Sequence, residues 1–362
     1  DSSGVIQYLN IMYSEYGLTG IGIGNKTVMD HIYVSQSADK GIRMLGSRAE
    51  LKYTIVKDVA GSGYEFDFGD NSQLQFSIAV TVDSTAYKAT GTNHIVISNN
   101  SINPSATPIG HTVLSNVSSI GALHCGYPTI NPKFEAGVLY KNGAGSGIYN
   151  SVFTGNNVGM YLGDAATIAN ADQYDLLKFA HNTNFENQLQ YGHAGSWLAY
   201  CAPDMNEWIT NGFVVGTCAQ VDNEFVETVT PYDLGYSNTI CTGSPSFVLG
   251  TTDLPNSDFL TASDLSDPFF TTSTHKRGAF DGTDWTGWKI WNEQAFQVCP
   301  EERTAPTGIG SIKNGNVPLS VYPNPTNGIA YLEFATENAG KATIDIVNSL
   351  GQVVRSINVN IT

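Results

Sequence analysis

The apolar positions of the first eighty residues fall in short alternating runs, and the runs recur. Ile6-Gln7-Tyr8-Leu9-Asn10-Ile11, Met29-Asp30-His31-Ile32-Tyr33-Val34, Leu51-Lys52-Tyr53-Thr54-Ile55-Val56 and Leu74-Gln75-Phe76-Ser77-Ile78-Ala79 align on Tyr8, His31, Tyr53 and Phe76, in steps of 23, 22 and 23 residues. Alternation with period two marks a strand with one buried face. Second runs, such as Gly41–Gly46 and Tyr64–Gly69, lie between the first, and Gly, Asn, Ser and Asp stand at the joints. A unit of about 22 residues that holds several short strands and no helix fits one coil of a parallel β-helix. The pattern returns at Ala136–Tyr140, Ile148–Phe153 and Val158–Leu162, which read as one further coil. His94–Ser98 and Thr112–Val117 fill the coils between.

Regularity fades after residue 165. Asp172–His181 has helical spacing and an acidic start. The stretch 185–303 mixes Trp, Cys, Pro and Asp without period. A β-helix ends in open sheet edges that would pair with other chains unless covered. The reading is therefore coils over 1–184, decorated last coils and a cap over 185–303, and a small, turn-forming linker over 304–318. Residues 319–362 then return to clean strands at Ala330–Phe334, Ala342–Val347 and Gln352–Val359, the beginning of a small antiparallel β-sandwich whose last strands are not in this sequence. The fold class is all-β: a parallel β-helix followed by a small sandwich.

Composition narrows the function. Charged residues make up 14% of the chain, against roughly 25% in an ordinary soluble domain, so a helix-rich enzyme or a coiled coil is disfavoured. The 33 acidic and 17 basic residues give a net charge of −16. No basic stripe is present to displace counterions from nucleic acid. The surplus suits divalent cations or a solvated surface. No run of 18 apolar residues exists, so no transmembrane helix is expected. Cys125, Cys201, Cys218, Cys241 and Cys299 form no CxxC pair, which argues against structural zinc, and Cys201–Cys218 is the local candidate disulfide. The start at Asp1 carries no basic–apolar leader and reads as a processed or incompletely covered end.

The tail carries the most specific motif. Leu319-Ser320-Val321-Tyr322-Pro323-Asn324-Pro325-Thr326-Asn327-Gly328, followed by Ile344-Asp345-Ile346-Val347-Asn348-Ser349-Leu350-Gly351-Gln352-Val353-Val354, resembles the C-terminal sorting domain of the type IX secretion system. That resemblance implies an Ig-like sandwich, export across the outer membrane of a Gram-negative bacterium, and docking on the translocon's shuttle β-barrel. Tyr322, Pro323, Asn324, Pro325 and Gly328 would shape its opening turn, and Leu350 and Gly351 its later one. Proline fixes the backbone at the first of these.

The front is similar to a family of secreted right-handed β-helix proteins that carry the same tail. Ser3-Gly4-Val5-Ile6-Gln7-Tyr8-Leu9, Val28-Met29-Asp30-His31-Ile32-Tyr33-Val34 and Ser37-Ala38-Asp39-Lys40-Gly41-Ile42-Arg43 follow its pattern, as do Arg277-Gly278-Ala279-Phe280 and Asp284-Trp285-Thr286-Gly287-Trp288. Lys40 and Arg43 stand where that family has acidic residues. The resemblance implies a surface protein and no particular reaction.

Three constellations carry chemistry. Glu65 and Asp67 are two apart on one strand and share a face. With Asp39 and Asp70 they form a candidate calcium set, since calcium takes six to eight oxygens. Polysaccharide lyases of this fold combine such carboxylates with a basic residue that removes a proton, and Arg43 and Lys52 lie nearby in coil terms. Acidic outward residues also keep a sheet soluble. Trp285, Trp288 and Trp291 are spaced by three and either stack on sugar rings or seal the capping segment. His31 occupies an in-register coil position and reads as part of a stacked ladder. The stretch Gly20-Ile21-Gly22-Ile23-Gly24 precedes a strand, not a helix, and reads as a turn. The seven histidines show no paired ligand spacing, and His193 and Ser196 do not make a GxSxG elbow. No catalytic set emerges. The expectation is a secreted or cell-surface protein that is adhesive or contacts surface polysaccharide and is not catalytic. A lyase-like enzyme and an extracellular filament subunit are the alternatives.

Overall fold

The computed structural model describes residues 4–125, 130–210, 224–226, 262–273, 277–280, 285–288, 319–322, 331–334, 340–347 and 353–361. The chain divides into two units, Asp1–Glu293 and Gln294–Thr362.

The first unit is a parallel β-helix. Val5–Met12, Val28–Ser35, Glu50–Lys52 with Ile55–Lys57, Gln73–Val80, Thr112–Ile120, Ser146–Tyr149 with Val152–Thr154, and Leu177–Ala180 with Thr183–Phe185 stack in order as the first sheet. Tyr16–Ile21, Lys40–Leu45, Ser62–Asp67, Thr92–Ser98, Phe134–Lys141, Val158–Leu162 and Leu189–His193 stack as the second, seven-stranded sheet. Every pairing between these strands is parallel, and each strand pairs with its counterpart one coil away. Among the described residues the chain thus winds through seven coils, and Glu224–Val226 adds a strand to the first sheet beyond Thr183–Phe185.

Inward residues repeat from coil to coil because alternation sends every second side chain to one face. Leu51, Leu74, Leu114, Ile148 and Phe179 line the inside of the first sheet, and Ile42, Tyr64, Ile95 and Val138 that of the second; all are fully buried. Beyond the last coil, the helix Met205–Thr210 adds Met205, Trp208 and Ile209 to the same core.

Midway along each first-sheet strand the backbone bends through a left-handed residue. Tyr8, His31, Tyr53, Phe76, Asn116, Asn150 and His181 all have φ between 51° and 56°. The register places them in one column. The 23-22-23 step of the sequence is the spacing of these bends. Left-handed φ is unfavourable for a bulky side chain, so something must hold Tyr8, His31, Tyr53 and Phe76 there. Their rings form a ladder: Tyr8 stacks on His31 at 4.6 Å, His31 meets Tyr53 tilted at 5.1 Å, and Tyr53 stacks on Phe76 at 5.5 Å. His31 is a member of a stacked ladder, as its register predicts.

A second column is set by close approach. A Cβ on Gly17 would lie 2.3 Å from the carbonyl oxygen of Gly41, one on Gly41 2.4 Å from that of Gly63, and one on Gly63 2.6 Å from that of His94. Gly137 and Gly159 continue the column beyond His94.

Two expectations change. The helix spans Ala165–Asp172, capped by the Asp164 side chain on Thr167 N–H at 2.9 Å, whereas Leu177–Ala180 is a strand. The helical spacing of 172–181 is overridden because Leu177 and Phe179 alternate into the core. Second, Ala136–Tyr140 and Val158–Leu162 do not share a coil. They stack on one another in the second sheet, with Ala136 opposite Val158.

Among the described residues of the second unit there are two antiparallel pairs. Leu319–Tyr322 pairs with Tyr331–Phe334, placing Tyr322 opposite Tyr331. Gly340–Val347 pairs with Val353–Ile361. Among the described residues no helix is long and apolar enough to cross a membrane.

Candidate functional site

The outer face of the second sheet gathers charge from three coils. Glu65, on Ser62–Asp67, sits between Lys40 and Arg43 of the neighbouring strand, which register pairing sets beside it. Arg43 Nε lies 2.8 Å from Glu65 Oε1, and Lys40 Nζ pairs with Oε2. Ser62 Oγ donates to the same carboxylate at 3.1 Å. Burial pushes the Glu65 carboxyl up, but the Lys40 and Arg43 cations outweigh it and hold it below the usual range. Asp39 takes Lys88 Nζ at 2.6 Å and lies 3.7 Å from Lys40 Nζ. The loop carrying Lys88 therefore closes over the patch.

The other two predicted carboxylates serve the backbone. Asp67 Oδ1 accepts the N–H groups of Phe68 at 2.7 Å and Ser101 at 3.1 Å. Asp70 accepts those of Ser47 at 2.9 Å and Ser72 at 2.8 Å. Burial pushes the Asp70 carboxyl up to about 6 against the pull of these donors. Asp39 and Glu65 share the Lys40 ammonium, whereas Asp67 and Asp70 pin turns. Among the described residues no three His, Cys, Asp or Glu side chains are grouped to hold a metal ion.

Arg43 and Lys52, close in coil terms, are on different sheets. Lys52 lies on the outer face of the first sheet, in the strand Glu50–Lys52. There it donates to Thr271 Oγ1 at 3.2 Å and sits 4.8 Å from the Phe269 ring. Burial lowers its pKa, and Glu50 opposes that shift.

Residues 262–273 lie along this first-sheet face. Leu265 and Phe270 pack on Val113, Tyr149 and Ala180. Gln75 grips Thr271 with both ends of its amide, accepting N–H at 2.9 Å and donating to the carbonyl at 3.0 Å. Asp264 Oδ2 accepts Tyr149 O–H at 2.7 Å and meets His111 Nε2 at 3.0 Å. Burial pushes Asp264 up, yet these donors hold it below the usual range, while burial and then Asp264 push the Tyr149 phenol far up. Gly147 makes room: a Cβ there would lie 2.5 Å from the Tyr149 ring and 2.7 Å from Asp264 Oδ2. Sequence reasoning missed this cluster, because Asp264 stands 153 residues from His111 with no spacing signal.

Of the predicted tryptophans, Trp285 and Trp288 are packed against other rings. Trp288 meets the rings of Tyr8 at 6.1 Å and His31 at 5.6 Å, and Trp285 that of Tyr53 at 5.4 Å. Both are half-buried against the bend column. Trp291 lies outside the described residues, as do Pro323, Asn324, Pro325, Gly328, Leu350 and Gly351 of the sorting motif; Tyr322 ends its strand opposite Tyr331. Cys201 is disulfide-bonded, and its predicted partner Cys218 is outside the described residues.

In the fourth coil His94 replaces the column glycine. It is buried, with Nδ1 2.7 Å from Ser119 Oγ and Nε2 2.9 Å from Thr81 Oγ1. Burial lowers its pKa to about 3. The neutral ring is held by two hydroxyls, and among the described residues no carboxylate pairs with it to orient it as a triad's histidine would be.

Comparison with known families agrees with this architecture. Residues 1–219 match the model of the pectate-lyase-like β-helix domain. The chain belongs to the pectate-lyase-like β-helix family. Residues 320–362 of this β-helix protein match the secretion system C-terminal sorting domain. The tail makes the chain a secreted or cell-surface substrate of the type IX secretion system. No curated protein and no solved structure matches it.

Proposed function

We propose that the β-helix is a non-catalytic scaffold that contacts glycans at the cell exterior, delivered there by its sorting tail. The observation that carries this reading is the pairing of Glu65 with both Lys40 and Arg43. An eliminating enzyme needs carboxylates open to a cation and a base open to a proton. On this sheet the two signs are engaged with each other. The ring of Tyr8, 62% exposed with Trp288 beside it, supports sugar stacking at the first coil. The tail is proposed to dock on the outer-membrane shuttle barrel through 319–362, with Tyr322, Pro323, Asn324, Pro325, Gly328, Leu350 and Gly351 shaping its turns.

The test incubates the full chain with immobilised and soluble acidic and neutral polysaccharides, with calcium and with a chelator. Retention without shortening of the polymer is expected in both conditions. Depolymerisation would overturn the non-catalytic part, and failure to retain any glycan would overturn the contact part.

A further inference from the structure

The motif Arg277-Gly278-Ala279-Phe280 with Trp285-Thr286-Gly287-Trp288 is not accounted for by export, and glycan contact draws on Trp288 alone. Its described residues follow the bend column in reverse coil order. Arg277, fully buried, donates to Asn182 O at 3.3 Å and Thr183 Oγ1 at 3.0 Å in coil seven. Gly278 N–H donates to Asn150 O at 2.8 Å in coil six. Ala279 N–H donates to Ser118 Oγ at 2.9 Å in coil five. Trp285 meets Tyr53 in coil three, and Trp288 meets His31 and Tyr8 in coils two and one.

The chemistry changes in step with the column. Where the bend residue is Asn116, Asn150 or His181, the segment offers a guanidinium and backbone N–H groups. Where it is Tyr8, His31 or Tyr53, the segment offers indoles. The segment is also fastened to itself: Trp285 Nε1 donates to Ala279 O at 2.8 Å, and the Phe280 and Trp285 rings stack at 5.6 Å.

We infer that residues 277–280 and 285–288 are an axial clamp, following the bend column, that couples the opening of the coils and extends to coils one and two a tie that residues 262–273 make among coils three to seven. In an unclamped solenoid each repeat touches the next alone, so the terminal coil opens first and independently. The first coil is the one most in need, since its strands are the edges of both sheets and Val5 and Ile21 are exposed. The clamp's described contacts reach from coil one to coil seven.

Hydrogen exchange on the full chain, resolved by coil, tests this with two variants. Trp285→Ala with Trp288→Ala should speed exchange in 5–12, 28–35 and 50–57 by about tenfold or more, and leave 146–154 and 177–185 near the parent. Arg277→Met should do the reverse. If the double variant does not fold, Trp288→Ala alone gives the same comparison for coils one and two. Unchanged protection in the targeted coils, or equal loss in every coil from both variants, would overturn the clamp.

Discussion

The rings of His31 and Tyr53 lie 5.1 Å apart, and both residues hold left-handed backbone. Two unfavourable conformations are thereby stabilised by one contact. Stacked aromatic pairs contribute about 0.5–1.5 kcal/mol beyond their burial, comparable to the roughly 1–2 kcal/mol cost of left-handed φ.

That balance predicts an unusual order of variants. Tyr53→Ala loses two stacking neighbours and keeps the backbone strain, so about 2–3 kcal/mol of stability should disappear. Tyr53→Gly loses the same rings but relieves the strain. Urea unfolding should therefore rank Gly above Ala, the opposite of their order in an ordinary strand.

Glu65→Gln should destabilise by about 1–2 kcal/mol, below the buried-pair range because Lys40 and Arg43 are partly solvated. Arg43 is 27% exposed. The carboxyl is depressed in the fold, so its contribution is present above the unfolded value near 4.5 and lost as pH falls through the folded value. The difference between parent and variant, followed by thermal unfolding against pH, should shrink below about pH 4.5.

His94 makes the fold acid-sensitive. Its pKa falls from 6.5 to about 3 on folding, so between those values the unfolded chain binds a proton that the folded one refuses. Stability should drop by up to about 1.4 kcal/mol per pH unit in that window. His94→Gln should flatten the slope. Asp70 acts oppositely: raised to about 6 in the fold, it favours folding as pH falls from there towards its unfolded value. Asp70→Asn should therefore steepen the acid loss of the parent.

Gly41→Ala should be among the most damaging small substitutions. The new Cβ would sit 2.4 Å from a backbone oxygen that the parallel ladder fixes. A cost of about 3 kcal/mol is expected, read as loss of soluble protein or a lowered urea midpoint. Gly22→Ala, which meets no atom within 4 Å, controls for steric crowding and should cost only about 1–2 kcal/mol of backbone strain.

Removal of 319–362 should leave the β-helix folded but inside the cell. Fractionation of the producing organism checks it: normal appearance of the shortened chain outside the cell would contradict the role given to the tail.

The coil was legible because its repeat is local. Tyr8, His31, Tyr53 and Phe76 announce the bends when no loop intervenes. Past Phe76, insertions such as 81–91 and 99–111 stretch the step, and Asn116, Asn150 and His181 no longer resemble the aromatic members. The contacts of Asp264, Thr271 and Arg277 left no trace, because they depend on chain that returns from far away with no period of its own. Glu65 and Asp67 were rightly placed on one strand, but alternation cannot reveal that Lys40 and Arg43 one coil earlier would meet Glu65.

The glycine column has a consequence for how such a protein can change. At Gly17, Gly41, Gly63, Gly137 and Gly159 the wall of the second sheet admits no side chain, and His94 is accommodated only beside a small cavity lined by Thr92, Phe134 and Asn156. The tips of the loops between strands face no such limit, as at Ile102, which is 82% exposed, although Gly91 and Gly110 at the loop ends are closely approached in turn. New chemistry is therefore easier to add by lengthening a loop tip than by replacing a wall residue, and anyone redesigning the scaffold should graft within 84–87 or 100–106 and leave the wall alone.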